Sequence, residues 1–265
     1  MTSLAAWVGV DSRGPASLYI ATDSRISWGN THSWDSARKT FACHESPDIF
    51  GYVGYVFFPA LFLPTVIEIL SLEEARENNS VTTRQEYLRS IIEHVWSSFP
   101  PKERYDLSIV HATRVGEGVR CEFGFQILKL DAKSGTVESE RIEIPTSSSH
   151  LTFLGSGEGH LKSASAKWAE SDSGGTSRAQ FSSFCDALKE RKDRRSGGAP
   201  QLVALHRKNP GITLGVSWDE GFYINGMAIQ EGVSVQGISW MNRLFERVGV
   251  EHKRLPGAQV HADRR

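Results

Sequence analysis

The chain has 265 residues, with 30 basic against 31 acidic side chains and a formal net charge of −1. That length can bury a large core in one domain or in two small ones, and the charge balance gives no ground for nucleic acid or an anionic membrane as partner. Three cysteines, Cys43, Cys121 and Cys185, lie far apart with no C-x-x-C pair, which fits packing in a reducing cytoplasm better than a disulfide framework or a zinc site.

In chain order, residues 3–10 and 16–22 are short, apolar and rich in Val, Ile and Tyr, joined by the turn chemistry of DSRGP; they read as a β-hairpin. A second strand pair is expected at 39–43 and 48–54, around the polar HESP. The apolar stretch VGYVFFPALFLPTVIEIL is broken by two prolines and a Glu and so falls short of the roughly 18 apolar residues a membrane span needs; it reads as the buried start of a helix. After Pro64 the spacing becomes helical through Val66, Ile67, Ile69, Leu70 and Leu72, continuing into Glu73, Glu74 and Arg76. A second helix is expected over 82–98, with Thr82 or Thr83 as its N-cap and Pro100-Pro101 after its end.

Strands return at 105–113, 119–130, 138–144 and 151–154. Helices follow in LGSGEGHLKSASAKWAE and over 178–192, with DSGGTS between them as a loop. The strands 201–207, 212–218 and 221–225 close the pattern. Strands, two helices, strands, two helices, strands do not alternate as a parallel βαβ fold would, so the order points to sheets inside and helices outside. The domain reading is one unit over 1–228 and a C-terminal extension, 229–265, helical through Trp240, Met241, Leu244 and Phe245 and then disordered.

The N-terminus has no basic region followed by an apolar run, so no secretory signal is expected. A small residue at position 2 favours removal of Met1, which would leave a hydroxyl and an α-amine on Thr2. With a reference pKa of about 7.7–8.0, that amine can serve as base to the hydroxyl near neutral pH once a neighbouring cation depresses it. Such a pair needs a lysine, tied to a carboxylate, close by. The nine histidines show no H-E-x-x-H spacing, and His44 beside Cys43 and Glu45 reads as a turn residue, so no metal is expected. No G-x-x-x-x-G-K-[ST] is present, hence no ATPase activity of its own. The basic run KERKDRR at 189–195 is interrupted by acids and reads as a solvated helix end.

Six elements in order carry a resemblance: Thr2; Asp23-Ser24-Arg25-Ile26-Ser27-Trp28-Gly29; Lys39-Thr40-Phe41; Ile49-Phe50-Gly51-Tyr52-Val53-Gly54; Gly155-Ser156-Gly157; and Asp193-Arg194-Arg195-Ser196-Gly197-Gly198. Together they are similar to proteasome β-subunits and their bacterial relatives, the threonine peptidases among the N-terminal nucleophile hydrolases. Two departures stand out: the block Tyr55-Val56-Phe57-Phe58 after the paired glycines, and a longer turn at 11–16.

The resemblance implies an α+β fold, a four-layer αββα sandwich of two antiparallel sheets between helical layers. It implies Thr2 as nucleophile, Lys39 and Asp23 as the couple that lowers the pKa of its amine, and Ser156, Asp193 and Ser196 as groups that orient that amine. Arg25 and Ser27 would bind substrate, Ser27 by aligning an extended peptide. The amide of Gly51 would stabilise the oxyanion, and Ile49 would form a specificity-pocket wall. The partners implied are a peptide or unfolded protein, further copies of the chain in a ring, and a separate ATP-dependent unfoldase, without a cofactor. The alternatives are a catalytically silent scaffold or binding subunit and a small-molecule amidase.

Overall fold

The computed structural model describes residues 2–29, 31–72, 80–230, 235–249 and 251–258. The chain opens with a hairpin of β1 (Ser3–Asp11) and β2 (Gly14–Thr22), followed by a small separate hairpin of β3 (Ile26–Trp28) and β4 (His32–Trp34). Next come β5 (Thr40–Ala42), β6 (Asp48–Gly54), the helices α1 (Phe57–Ser71) and α2 (Val81–Ser98), and the strands β7 (Leu107–Val115), β8 (Glu122–Leu130), β9 (Val137–Ile142) and β10 (Ser149–Gly155). Helices α3 (Glu158–Ala169) and α4 (Ser177–Lys189) precede β11 (Gln201–His206), β12 (Ile212–Trp218), β13 (Gly221–Ile224), β14 (Met227–Ala228), β15 (Trp240–Met241) and β16 (Arg247–Val248).

The result is a mixed α/β architecture with two large sheets. One runs β10-β1-β2-β11-β12-β13-β14, with β15 and β16 added beside β12; the other is the meander β5-β6-β7-β8-β9. Strand β1 shows why its sequence is apolar throughout rather than alternating. Ala5 and Trp7 face a cluster with Leu161 of α3 and Phe181 and Phe184 of α4, while Leu4, Ala6 and Val8 face Ile49, Val110 and Phe125 of the other sheet. Both faces are covered, so both parities are hydrophobic. Phe50 and Tyr52 of β6 point the other way, into a cluster with Leu63 and Val66 of α1 and Leu88, Ile92 and Trp96 of α2. Each such fully buried side chain contributes about 1.5–3 kcal/mol.

Several expectations need correction. Helix α1 starts at Phe57 and carries Pro64 in its interior. The missing N–H costs about 3 kcal/mol, but burial of Phe58, Leu63, Val66 and Leu70 on this helix outweighs that. The aromatic block after Gly54 is therefore the opening of α1, with Phe58 packed on Phe62 and Trp96. The part of the expected helix over 73–79 lies outside the described residues. The cap of α2 is Ser80, whose hydroxyl accepts from the Thr83 amide at 3.1 Å, rather than Thr82 or Thr83. Helix α4 ends at Lys189, and 190–195 leave it as a loop with Arg191 in the left-handed region at φ 50°.

The extension is not helical where it was expected to be. The Asn242 side-chain oxygen accepts from the amides of Leu244 and Glu246, both at 2.9 Å, and Phe245 sits at φ 58°. This Asn-centred turn outcompetes the helix that the apolar spacing suggests. Met241 joins the core on the helix side of the larger sheet, and Leu244 packs on Trp168 and Ala179. Strand β15 pairs with β12 in parallel, so that sheet is not purely antiparallel. The expected disorder falls partly on 259–265, outside the described residues.

Candidate active site

Strand β1 begins at Ser3, so Thr2 stands at its mouth, fully buried. Strand β2 runs antiparallel to it and delivers Asp23 one residue beyond its end; the Asp23 amide donates to the Ser3 carbonyl at 3.1 Å. Lys39 precedes β5, at the edge of the other sheet, and reaches across with its side chain.

The Lys39 ammonium has three donors, and three acceptors receive them: Asp23 Oδ1 at 2.8 Å, the Arg25 carbonyl at 2.6 Å and Thr2 Oγ1 at 3.1 Å. Asp23 is saturated in turn. Its Oδ1 also accepts from the Ser3 amide at 3.1 Å, and its Oδ2 from the amides of Arg25 at 3.1 Å and Gly197 at 3.0 Å. Lys39 and Asp23 are both 0% exposed. Loss of hydration holds the Lys39 pKa below the ordinary lysine value, with the Asp23 charge working against that shift. A buried pair of this kind is secured by its full set of hydrogen bonds.

Ser156, Asp193 and Ser196 also meet. Asp193 Oδ2 accepts from Ser156 Oγ at 2.6 Å and from Ser196 Oγ at 2.8 Å, and Ser196 Oγ accepts from Ser3 Oγ at 2.8 Å. Burial tends to raise the Asp193 pKa, but these hydrogen bonds and one from the Arg195 amide hold it below the usual carboxylate value. Ser156 is not a helix cap, since α3 is capped at Gly157 without a side-chain bond. The three residues therefore reach the Thr2 end of β1 through Ser3. Gly155 makes this convergence possible: at φ 93°, a Cβ on it would stand 1.9 Å from the Thr2 carbonyl oxygen.

Arg25 turns its guanidinium to Asp35, in two bonds of 2.7 and 2.8 Å, and not to Asp23. Ser27 has a buried hydroxyl with no hydrogen-bond partner among the described residues. Two expected site residues lie elsewhere. Ile49 is fully buried in the core between the sheets. Gly51 is mid-strand, with its α-carbon facing Ile20 and Leu4. In β6 the Tyr52 amide bonds to the Lys39 carbonyl at 3.2 Å. Amides alternate along a strand, so that of Gly51 faces β7 and that of Gly54 faces the Lys39 edge. Gly54 and Gly155 line one cleft of about 830 Å³, which Asp106, Lys129, Asp131 and Glu138 also border.

Two residues that the sequence reading missed hold the site. Ser3 bonds both to Asp23 and to Ser196, as described above. Gln201, fully buried, donates from Nε2 to the carbonyls of Asp23 at 3.0 Å and Ala37 at 2.7 Å, and its Oε1 accepts from the Lys39 amide at 2.9 Å. Its only sequence signal is a polar residue opening the apolar strand QLVALH. Among the described residues, no group of three or more His, Cys, Asp or Glu could hold a metal ion, and no helix is long and apolar enough to cross a membrane.

No protein-family model matches the chain, and no curated protein matches it by sequence. Among solved structures it is similar to the crystal structure of eukaryotic HslV from Trypanosoma brucei, with a TM-score of 0.47 and 15% sequence identity over 77% of this chain and 99% of that one.

Proposed function

We propose that this chain is a threonine-type hydrolase of peptide or amide bonds that uses Thr2 as nucleophile and the α-amine of Thr2 as base, on an αββα N-terminal nucleophile scaffold. One observation carries the reading: the buried Lys39 ammonium lies within hydrogen-bond reach of both the Thr2 hydroxyl and the Asp23 carboxylate. A solvated strand lysine would have neither contact, and a packing lysine would have no reason to be aimed at the second residue of the chain.

Once the residue before it is removed, Thr2 carries an amine beside a cation, which favours the neutral form. The hydroxyl oxygen attacks the scissile carbonyl carbon as its proton passes to that amine. The tetrahedral intermediate collapses when the resulting ammonium protonates the leaving nitrogen, the C–N bond breaks, and an ester remains on Thr2. Water, giving a proton to the same amine, then cleaves the ester and restores the hydroxyl. Lys39 holds the hydroxyl oxygen and keeps a positive charge beside it throughout. Asp193 with Ser156 and Ser196 would orient the amine through the start of β1. The oxyanion donor in this scheme is the amide of Gly54 rather than that of Gly51, because it faces the Lys39 edge and borders the same cleft as Gly155.

The three unpaired cysteines support a reducing, cytoplasmic setting. Assembly into a ring and supply of unfolded protein by a separate ATP-dependent unfoldase are part of the proposal through the sequence resemblance alone. The test is mass spectrometry of the purified chain after exposure to an epoxyketone, which needs a hydroxyl and a free amine on one residue. An adduct of one inhibitor per chain at Thr2 is expected; a chain that keeps Met1 and forms no adduct overturns the mechanism.

A further inference from the structure

The run KERKDRR, read from sequence as a solvated helix end, is largely a loop beyond α4, and it forms one wall of a cleft of about 510 Å³. Ser27 and His32 line it together with Arg191, Asp193, Arg194 and Arg195. Arg25 also lines it, already committed to Asp35 and, through Nη1, to the Arg194 carbonyl at 3.2 Å. The guanidiniums of Arg191, Arg194 and Arg195 have no hydrogen bond or salt bridge to any described residue. Among the described residues, the only carboxylate lining the cleft, Asp193, is already bonded to two hydroxyls and an amide. Three arginines line one cleft together with Ser27, whose buried hydroxyl has no partner among the described residues, and this set forms an incomplete recognition site for a planar anion.

The cleft also touches the candidate active site. Asp193 belongs both to its wall and to the Ser156–Ser196–Ser3 chain, and the Arg25 backbone carbonyl is one of the three acceptors around the Lys39 ammonium. The cleft and the candidate active site therefore share Arg25 and Asp193. Single-stranded nucleic acid is the poorer fit, because the described residues lining the cleft include no Trp, Tyr or Phe on which bases could stack and the chain as a whole is not basic.

We propose that this cleft binds an acidic segment of the substrate polypeptide, with Asp or Glu carboxylates seated on Arg191, Arg194 and Arg195 while the chain passes Ser27 toward Thr2. The inference rests on the hydrolase reading above and adds a substrate class to it. Arg25 is held by Asp35 as a fixed part of the wall, and the three unengaged arginines supply the selectivity.

The test uses the full chain with Thr2→Ala, which binds without turnover, and three fluorescein-labelled hexapeptides of one length: an Asp/Glu-rich one, its Asn/Gln counterpart and a Lys-rich one. Anisotropy should show the acidic peptide binding about tenfold or more tightly than the amide counterpart, as expected of one charge-assisted contact. Raising the salt from low to moderate concentration should weaken the acidic peptide selectively. The paired reversal Arg194→Glu with Arg195→Glu, on an exposed loop, should abolish or invert the preference. Should that variant fail to fold, Arg191→Gln and the salt series on the parent decide the matter. Equal binding of all three peptides, a preference that survives charge reversal, or tighter binding of an oligothymidylate than of the acidic peptide would overturn the proposal. The epoxyketone arm on the unmodified chain separates the two readings. An acidic preference without an adduct leaves the cleft and removes the hydrolase; an adduct without a preference does the reverse.

Discussion

The Lys39 ammonium nitrogen lies 3.1 Å from the Thr2 hydroxyl oxygen, across the gap between the two sheets, with both residues fully buried. Thirty-seven positions separate them in sequence. Exchanging Thr2 for Ala should therefore abolish hydrolysis, lowering kcat by about 10³-fold or more, while Thr2→Ser keeps measurable turnover. Lys39→Ala should cost comparable activity. It should also destabilise the fold by about 3–5 kcal/mol, because Asp23 is left as an uncompensated buried charge. Steady-state kinetics and urea melts on the same preparations check both halves; full activity in Lys39→Ala would contradict the mechanism.

A second expectation concerns pH. The mechanism needs Lys39 charged, and burial holds its pKa below the ordinary lysine value of 10.5. The rate should fall on the alkaline side as pH rises through that lowered value, earlier than an exposed lysine would allow. Stability runs the other way at this site. Just below pH 10.5 the unfolded chain binds the proton more tightly than the folded one, so this group's contribution to stability rises with pH there. A kcat/KM profile that stays flat up to pH 10.5 would remove Lys39 from the chemistry.

Gln201 acts through other residues, bracing the backbones that carry Asp23 and Lys39. Gln201→Ala should lower kcat about tenfold or more with little change in KM, and cost about 1–3 kcal/mol for the buried groups it leaves unpaired. A purely structural brace would lower stability and leave the alkaline limb of the pH profile in place. A positioning role shifts that limb, because the Lys39–Asp23 distance changes.

The buried cluster around Asp48 is a control from the other end of β6. Asp48 receives hydrogen bonds from Ser46 Oγ at 2.7 Å, from His111 Nε2 at 2.8 Å and from Arg84 Nε at 3.1 Å. Burial tends to raise its pKa, but these bonds hold it well below the usual carboxylate range. Asp48→Ala should destabilise the protein by about 3–5 kcal/mol, since Arg84 and His111 lose their carboxylate. Where the variant stays folded, kcat should remain within about twofold of the parent, as this cluster does not touch Thr2. A selective loss of kcat at unchanged stability would link the two sites and contradict that separation.

Much of the architecture is legible in local patterning. Hairpin β1–β2, the strand pair β5–β6 and the strand over Ile212–Trp218 follow from apolar runs between turn residues, and α2 from its three- and four-residue spacing. The two helix failures have different causes. Pro64 argues locally for a helix start and Asn242 is locally silent, yet burial of Phe58, Leu63, Val66 and Leu70 carries α1 across its proline, and two side-chain hydrogen bonds fold 242–246 into a turn. For the site, Thr2, Asp23, Lys39, Ser156, Asp193 and Ser196 could be named from motif order. Gly51 and Ile49 could not be judged, because a shift of one position along a strand exchanges its two faces and the direction of its amides.

The sequence by itself determined which chemical groups are available: a small hydroxylated residue at position 2, one aspartate after an apolar strand, one lysine before another, and a serine–aspartate set far downstream. Only the tertiary structure decided that they meet, that Ser3 and Gln201 tie them together, and that the arginines after α4 line a cleft beside them. The cause is that the Lys39–Asp23 couple joins the end of an interior strand of one sheet, β2, to the edge strand of the other, β5. Its geometry is set by long-range packing and strand register, which no short window of residues encodes.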